Sequence, residues 1–208
     1  MHIEILSTPQ RKAVELLGKA LTDSNFYLAG GTALSLQVGH RRSVDLDWFI
    51  PRLGEAENLF QRLRFFGIDF KVLSVSLETV YLTIQDVQIS FIGYNYPMLQ
   101  QTVTLPEFGI QMAATDDIAC MKLSAITSRG SRKDFVDLHY LIRHFHSLED
   151  YLRLYAKKYD NRDIGHVVKS LVYFADAEVE PEIKLIKPVL WQDLKADFEK
   201  WVKDLEYL

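Results

Sequence analysis

Thr115 divides two textures of sequence, and that division constrains the fold more than any other feature. Before it, residues 26–29, 44–50, 70–75, 80–84 and 87–92 read as strands, interleaved with three amphipathic helices. After it the apolar spacing is helical throughout. A 208-residue chain with its strands confined to one half is an α+β protein. We expect a small mixed sheet flanked by helices from residues 1–110, and a helical C-terminal layer over 111–208 that closes one side of a cleft.

Local signals place the elements. Thr8-Pro9, followed by Val14, Leu17 and Leu21, predicts an N-capped helix running to about Thr22. The short apolar strand at 26–29 ends in Gly30-Gly31, and Thr32 to Val38 then forms two helical turns stopped by Gly39. Residues 55–66 carry Leu59, Phe60, Leu63 and Phe66 at helical spacing before Gly67, and Gln85-Asp86 is the expected hairpin turn. Beyond Pro106 the expected helices are 115–127, 132–145, 147–158, 162–175 and 190–206, with caps at Thr115, Ser131 and Ser147.

Composition enters mainly by exclusion. Cys120 is the single cysteine, which rules out an intramolecular disulfide and a cysteine-built zinc site. No run approaches the ~18 consecutive apolar residues of a membrane span, and Met1-His2-Ile3-Glu4 is not the start of a signal peptide, so a cytoplasmic protein is expected. The net charge of −4 resides in residues 176–208, and the rest of the chain is neutral. Two small basic patches stand out: His40-Arg41-Arg42, and Lys122, Arg129, Arg132 and Lys133 between Asp117 and Asp134.

The sharpest chemical signal is Asp45-Leu46-Asp47. Alternation puts Val44, Leu46 and Trp48 on one strand face and both carboxylates on the other. At ~6 Å and an effective dielectric of about 20, two such charges repel by roughly 3 kcal/mol, and an oxygen-ligated divalent cation reverses the sign. A solvated polar face on an edge strand would read the same way. Gly30-Gly31, upstream of the pair, adds the second half of a phosphate chemistry. Glycines admit close approach of backbone to phosphate oxygens, and the helix beginning at Thr32 aims its N–H groups at an anion.

These residues carry a resemblance. Gly30-Gly31-Thr32-Ala33-Leu34, His40-Arg41-Arg42-Ser43 and Asp45-Leu46-Asp47 resemble the minimal nucleotidyltransferases of the polymerase-beta superfamily, specifically the AbiEii/AbiGii toxin family. Lys122-Leu123-Ser124-Ala125-Ile126, Arg129 and Lys133-Asp134-Phe135-Val136-Asp137-Leu138 are similar to that family's lysine and Asp-x-x-Asp motifs. The likeness covers about residues 26–145 and implies a nucleotidyltransferase core. It implies that Gly30, Gly31, Thr32, Arg41, Arg42 and Ser43 bind the nucleotide, that Asp45 and Asp47 hold Mg2+, and that Lys122 contacts phosphate. It implies a catalytic role for Asp137 near the attacking group, with Asp134 as second choice. The implied reaction moves a nucleoside monophosphate from an NTP onto an RNA acceptor, such as a tRNA end, or onto protein. The protein would be the toxin of a pair with a cognate antitoxin.

One position departs from the pattern. The superfamily places a third acid on a neighbouring strand, and that position here is Ser90. A serine is neither a general base nor a strong metal ligand. Either Asp137 substitutes, or the chain keeps the fold as a nucleotide- or partner-binding module. Other candidates read as packing. His139, His144 and His146 do not share one helix face, Cys120 belongs to an apolar helix, and Trp191, Phe198 and Trp201 suit a packed terminal helix.

Overall fold

Strand residues 27–29 are buried on both faces, so they occupy the middle of a sheet and dictate what lies on either side. In the computed structural model, which describes residues 1–205, the elements in order are α1 (Thr8–Leu21), β1 (Tyr27–Ala29), α2 (Gly30–Val38), β2 (Leu46–Ile50), α3 (Ala56–Phe65), β3 (Lys71–Ser76), β4 (Thr79–Ile84), β5 (Val87–Gly93), β6 (Val103–Leu105) and β7 (Ile110–Met112). Among the described residues the strands form one seven-stranded sheet, ordered β3-β4-β5-β2-β1-β7-β6. β2 runs parallel to β5 and β1 parallel to β7, while the other neighbours are antiparallel, giving the expected mixed sheet. Gln85 and Asp86 both take positive φ, the geometry of a type I′ hairpin turn.

The chain divides into two units, residues 1–97 with 101–114, and residues 98–100 with 115–208. β6 and β7, three residues each, belong to the first unit. The second holds α4 (Thr115–Arg129), α5 (Arg132–His144), α6 (Leu148–Tyr159), α7 (Gly165–Ser170), α8 (Ala175–Glu178) and α9 (Trp191–Lys203). Its aromatic centre is Phe135, with Phe174, Phe198 and Trp191 at centroid distances of 5.1, 5.5 and 6.2 Å. Lys158, at the end of α6, meets Asp117 of α4 at 2.7 Å with both side chains fully buried. Asp117 also accepts the backbone N–H groups of Leu99 and Gln100, which holds that segment in the helical unit. Among the described residues no helix is long and apolar enough to cross a membrane.

Four expectations change. Ser7, not Thr8, caps α1, in a reciprocal box with Gln10. Val44 lies before β2 and is 73% exposed, so it does not share the buried face of Leu46 and Trp48. The helix expected at 162–175 is interrupted, and α7 and α8 stand in its place with a turn at Leu171-Val172. Ser131 does not cap α5 with its own oxygen; its hydroxyl and the Arg132 N–H both donate to the Glu180 carboxylate, at 2.8 and 2.9 Å. An acid 49 residues away thus occupies the positive end of α5. The expected end of the last helix, at residue 206, lies outside the described residues.

Candidate active site

Register brings the sequence motifs of the sheet unit together. Ala29 pairs with Asp47 across β1 and β2, and Asp47 pairs with Ser90 across β2 and β5. Ser90 Oγ donates to Asp47 Oδ1 at 2.6 Å. The other carboxylate oxygen faces the glycine turn, where a Cβ on Gly30 would lie 2.6 Å from Asp47 Oδ2. Gly30 also has φ of +66°, a conformation that side chains disfavour, so both space and backbone demand glycine there.

Asp45 immediately precedes β2, and its backbone is held from two helices. Thr32 Oγ1, buried in the first turn of α2, donates to the Asp45 carbonyl at 2.5 Å. Gln10 Nε2 donates to the carbonyls of Ser43 and Val44 at 2.8 and 3.1 Å. Gln10 is therefore a positioning residue that the sequence reading missed; its place as third residue of a capping box was the available signal. Asp45 and Asp47 are themselves half-buried.

The anion-facing half adjoins them. Ala29 supplies no side-chain cap to α2, leaving the first-turn amides of Gly30, Gly31 and Thr32 without one, the arrangement that suits a phosphate. A Cβ on Gly31 would collide with the Arg41 guanidinium and lie 3.0 Å from Ser43 Oγ, so Arg41 and Ser43 converge on this turn. Arg41 is buried, and its Nη1 donates to the Arg42 carbonyl at 3.0 Å, while Arg42 is exposed. His40 is buried too, so the first basic cluster is not a surface patch.

In the helical unit, the lysine and Asp-x-x-Asp motifs form one cluster. Lys122 of α4 places Nζ 2.8 Å from Asp134 Oδ1 and 2.6 Å from Asp137 Oδ2, with both acids fully buried. Arg129 grips Asp134 with two bonds, Nε to Oδ2 at 2.7 Å and Nη2 to Oδ1 at 3.0 Å. Burial pushes the Asp134 carboxyl up, but the Lys122 charge and the Arg129 hydrogen bond outweigh it and hold it below the usual carboxylate range. Within the second basic patch Lys122 is therefore buried and Arg129 engaged, and the two acids are core groups rather than surface charge. Two of the three Lys122 donors serve these carboxylates.

The remaining candidates have other partners. His139 bonds Asp197 at 2.8 Å, His144 stacks on Tyr140, and His146 lies 3.4 Å from Asp116. Burial pushes the Cys120 thiol up to about 12. Among the described residues no group of three or more histidine, cysteine or acidic side chains is arranged around a metal position. Asp45 and Asp47 supply two hard oxygen donors on half-buried positions, a donor set that suits Mg2+.

The sequence matches the family model described as nucleotidyl transferase AbiEii toxin, type IV TA system, over residues 14–73 and 66–208. It is similar to an uncharacterized protein of Aquifex aeolicus, aq_aa25, with 38% identity over 98% of both chains. The fold is similar to that of MenT4, a nucleotidyltransferase toxin of Mycobacterium tuberculosis, with TM-score 0.60 and 18% identity over 94% of this chain and 83% of that one. The antibiotic-resistance factor ANT(2″)-Ia gives TM-score 0.54 at 14% identity, over 74% of this chain and 95% of that one.

Proposed function

This chain belongs to the AbiEii nucleotidyltransferase toxin family, and from that premise we propose that it transfers a nucleoside monophosphate from an NTP to an RNA or protein acceptor, as the toxin of a toxin–antitoxin pair. NTP-dependent nucleotidyl transfer is the chemistry of the family. The observation that carries the assignment to residues is the seating of Asp47 against Gly30, where a carboxylate suited to a cation adjoins a helix start suited to an anion.

In this reading the first-turn amides of α2 receive the triphosphate, with Arg41 and Ser43 backing the turn. Asp45 and Asp47 hold Mg2+, which when bound neutralises charge on the phosphates and the departing pyrophosphate. The acceptor oxygen bonds to the α-phosphorus as the bond to pyrophosphate breaks. For the helical unit, the family resemblance implies a role for Asp137 near the attacking group and a phosphate contact for Lys122. Asp137 then does the work that the superfamily gives to the acid absent at Ser90. Drawing on cellular NTP, the activity belongs in the cytoplasm, and regulation falls to a cognate antitoxin.

The test is incubation of the purified protein with each α-labelled NTP, Mg2+ and either total RNA or cell protein. Label should enter one acceptor class with one preferred nucleotide. Nucleotide binding, read as a thermal shift with Mg-NTP, without transfer to either class would replace this reading with the binding module that Ser90 suggests.

A further inference from the structure

Strand β3 lacks most of the protection by which a soluble monomer guards a sheet edge. It is terminal in the sheet, all six of its residues are exposed, and it holds one charge, Lys71, and no proline. Its one irregularity is a bulge at Leu73: Val72 pairs with Leu82 of β4, but Ser74 pairs with Tyr81 and Val75 with Val80. Residues three apart normally point to opposite faces of a strand. The extra residue brings Val72 and Val75 onto one face, beside the buried Leu82 and Val80. Yet Val72 is 40% and Val75 52% exposed, so the apolar face of the sheet runs out to an uncovered edge.

We propose that this edge is a homodimer interface, in which β3 pairs antiparallel with β3 of a second copy, Val72 opposite Val75 of that copy and the reverse. The register follows from the strand itself. A twofold axis between Leu73 and Ser74 sets Lys71 against Ser76, Val72 against Val75 and Leu73 against Ser74, with no like charges opposed. The bulge selects the occupant. A regular strand carries residues three apart on opposite faces, so it meets at most one of the two valines with an apolar partner; a strand with the same bulge meets both. A stable interface buries about 800 Å² per partner, more than a six-residue ladder supplies. Phe65, Phe66 and Leu77, all exposed and close along the chain to β3, are further apolar residues that the proposed interface would need to cover. β4 and β5 separate β3 from β2, so pairing at this edge leaves Asp47 of each copy outside the new ladder. The inference is independent of the proposed reaction.

Light scattering on the size-exclusion peak tests it. The wild type should have twice the 24.1 kDa mass of one chain, and Val72→Lys/Val75→Lys should have the single-chain mass with an unchanged circular dichroism spectrum. A second variant, Val72→Cys/Val75→Cys, reads the register without relying on the lysine substitutions, because Cys120 is buried. Mild oxidation should link two chains covalently. A wild type that is monomeric at every concentration, a dimer that persists in a folded lysine variant, or a cysteine variant that does not cross-link would each overturn the proposal.

Discussion

Ser90 donates its hydroxyl hydrogen to Asp47 Oδ1 at 2.6 Å from the strand position directly beside it. The residue that breaks the superfamily pattern is thus in contact with the carboxylate assigned to the metal, as a donor that orients one oxygen rather than as a third acid. Partners of metal-binding carboxylates are worth about 10- to 100-fold in affinity or activity. Ser90→Ala should therefore lower transfer by that order while thermal melting changes little, and raising Mg2+ should recover part of the loss. An activity equal to wild type would detach Ser90 from the chemistry.

Asp45→Asn and Asp47→Asn should each abolish transfer and leave the fold intact. Asparagine matches aspartate in size and both positions are half-buried, so the unliganded variants should still melt cooperatively. Melting curves with and without Mg-NTP check this: the ligand-induced shift should vanish in both variants.

Gly30→Ala separates space from charge. Its methyl would stand 2.6 Å from Asp47 Oδ2 at a left-handed backbone position, which costs about 1–2 kcal/mol from backbone conformation alone. Displacement of Asp47 should make the fall in transfer much larger than the fall in stability. A stable, fully active Gly30→Ala protein would remove the glycine turn from the site.

The expected boundaries of β1, α2 and the β4–β5 hairpin lie close to those of the structure because strong local punctuation marks them: Gly30, Gly39 and the Gln85-Asp86 turn. β6 and β7 have three residues each, too short for a period to register, and α7 and α8 replace one expected helix because a turn at Leu171-Val172 carries no glycine or proline to announce it. At the candidate site, spacing singled out Asp45, Asp47 and the glycines. It did not reveal that Thr32 and Gln10 hold the backbone around Asp45, nor that Asp134 and Asp137 are buried with Lys122. Those relations depend on tertiary contacts between residues 13 to 34 positions apart in the first case, and on burial, which charge in a sequence argues against.

His139 should give the helical unit a pH dependence. Burial holds its imidazole below the usual histidine range, more than the Asp197 hydrogen bond restores. The unfolded chain takes up this proton at about pH 6.5 and the folded chain only at lower pH. Its contribution to stability is therefore complete above that value and is lost as pH falls through the folded pKa. His139→Gln, which retains a donor for Asp197, should flatten the decline in melting temperature just below neutrality. An unchanged pH profile would place the titration elsewhere.

The two buried acids of α5 should differ in what their loss costs. Asp134 carries Lys122 and a two-bonded Arg129, the pattern of a carboxylate that holds two elements together. Asp137, 2.6 Å from the same Lys122, is the one assigned to the attacking group. Removing one member of a buried ion pair costs about 3–5 kcal/mol, so Lys122→Ala should unfold the unit at moderate temperature, and its lost activity would say little about phosphate contact. The asparagine pair is more informative, because amide and carboxylate have nearly the same volume. Asp134→Asn should destabilise yet keep most transfer per folded molecule. Asp137→Asn should lower transfer by about 10²-fold or more, the range of a general base. Denaturant melts paired with activity normalised to the folded fraction separate the two effects. The reverse ranking would move the role near the attacking group to Asp134, and equal small losses would leave both acids as a structural clamp.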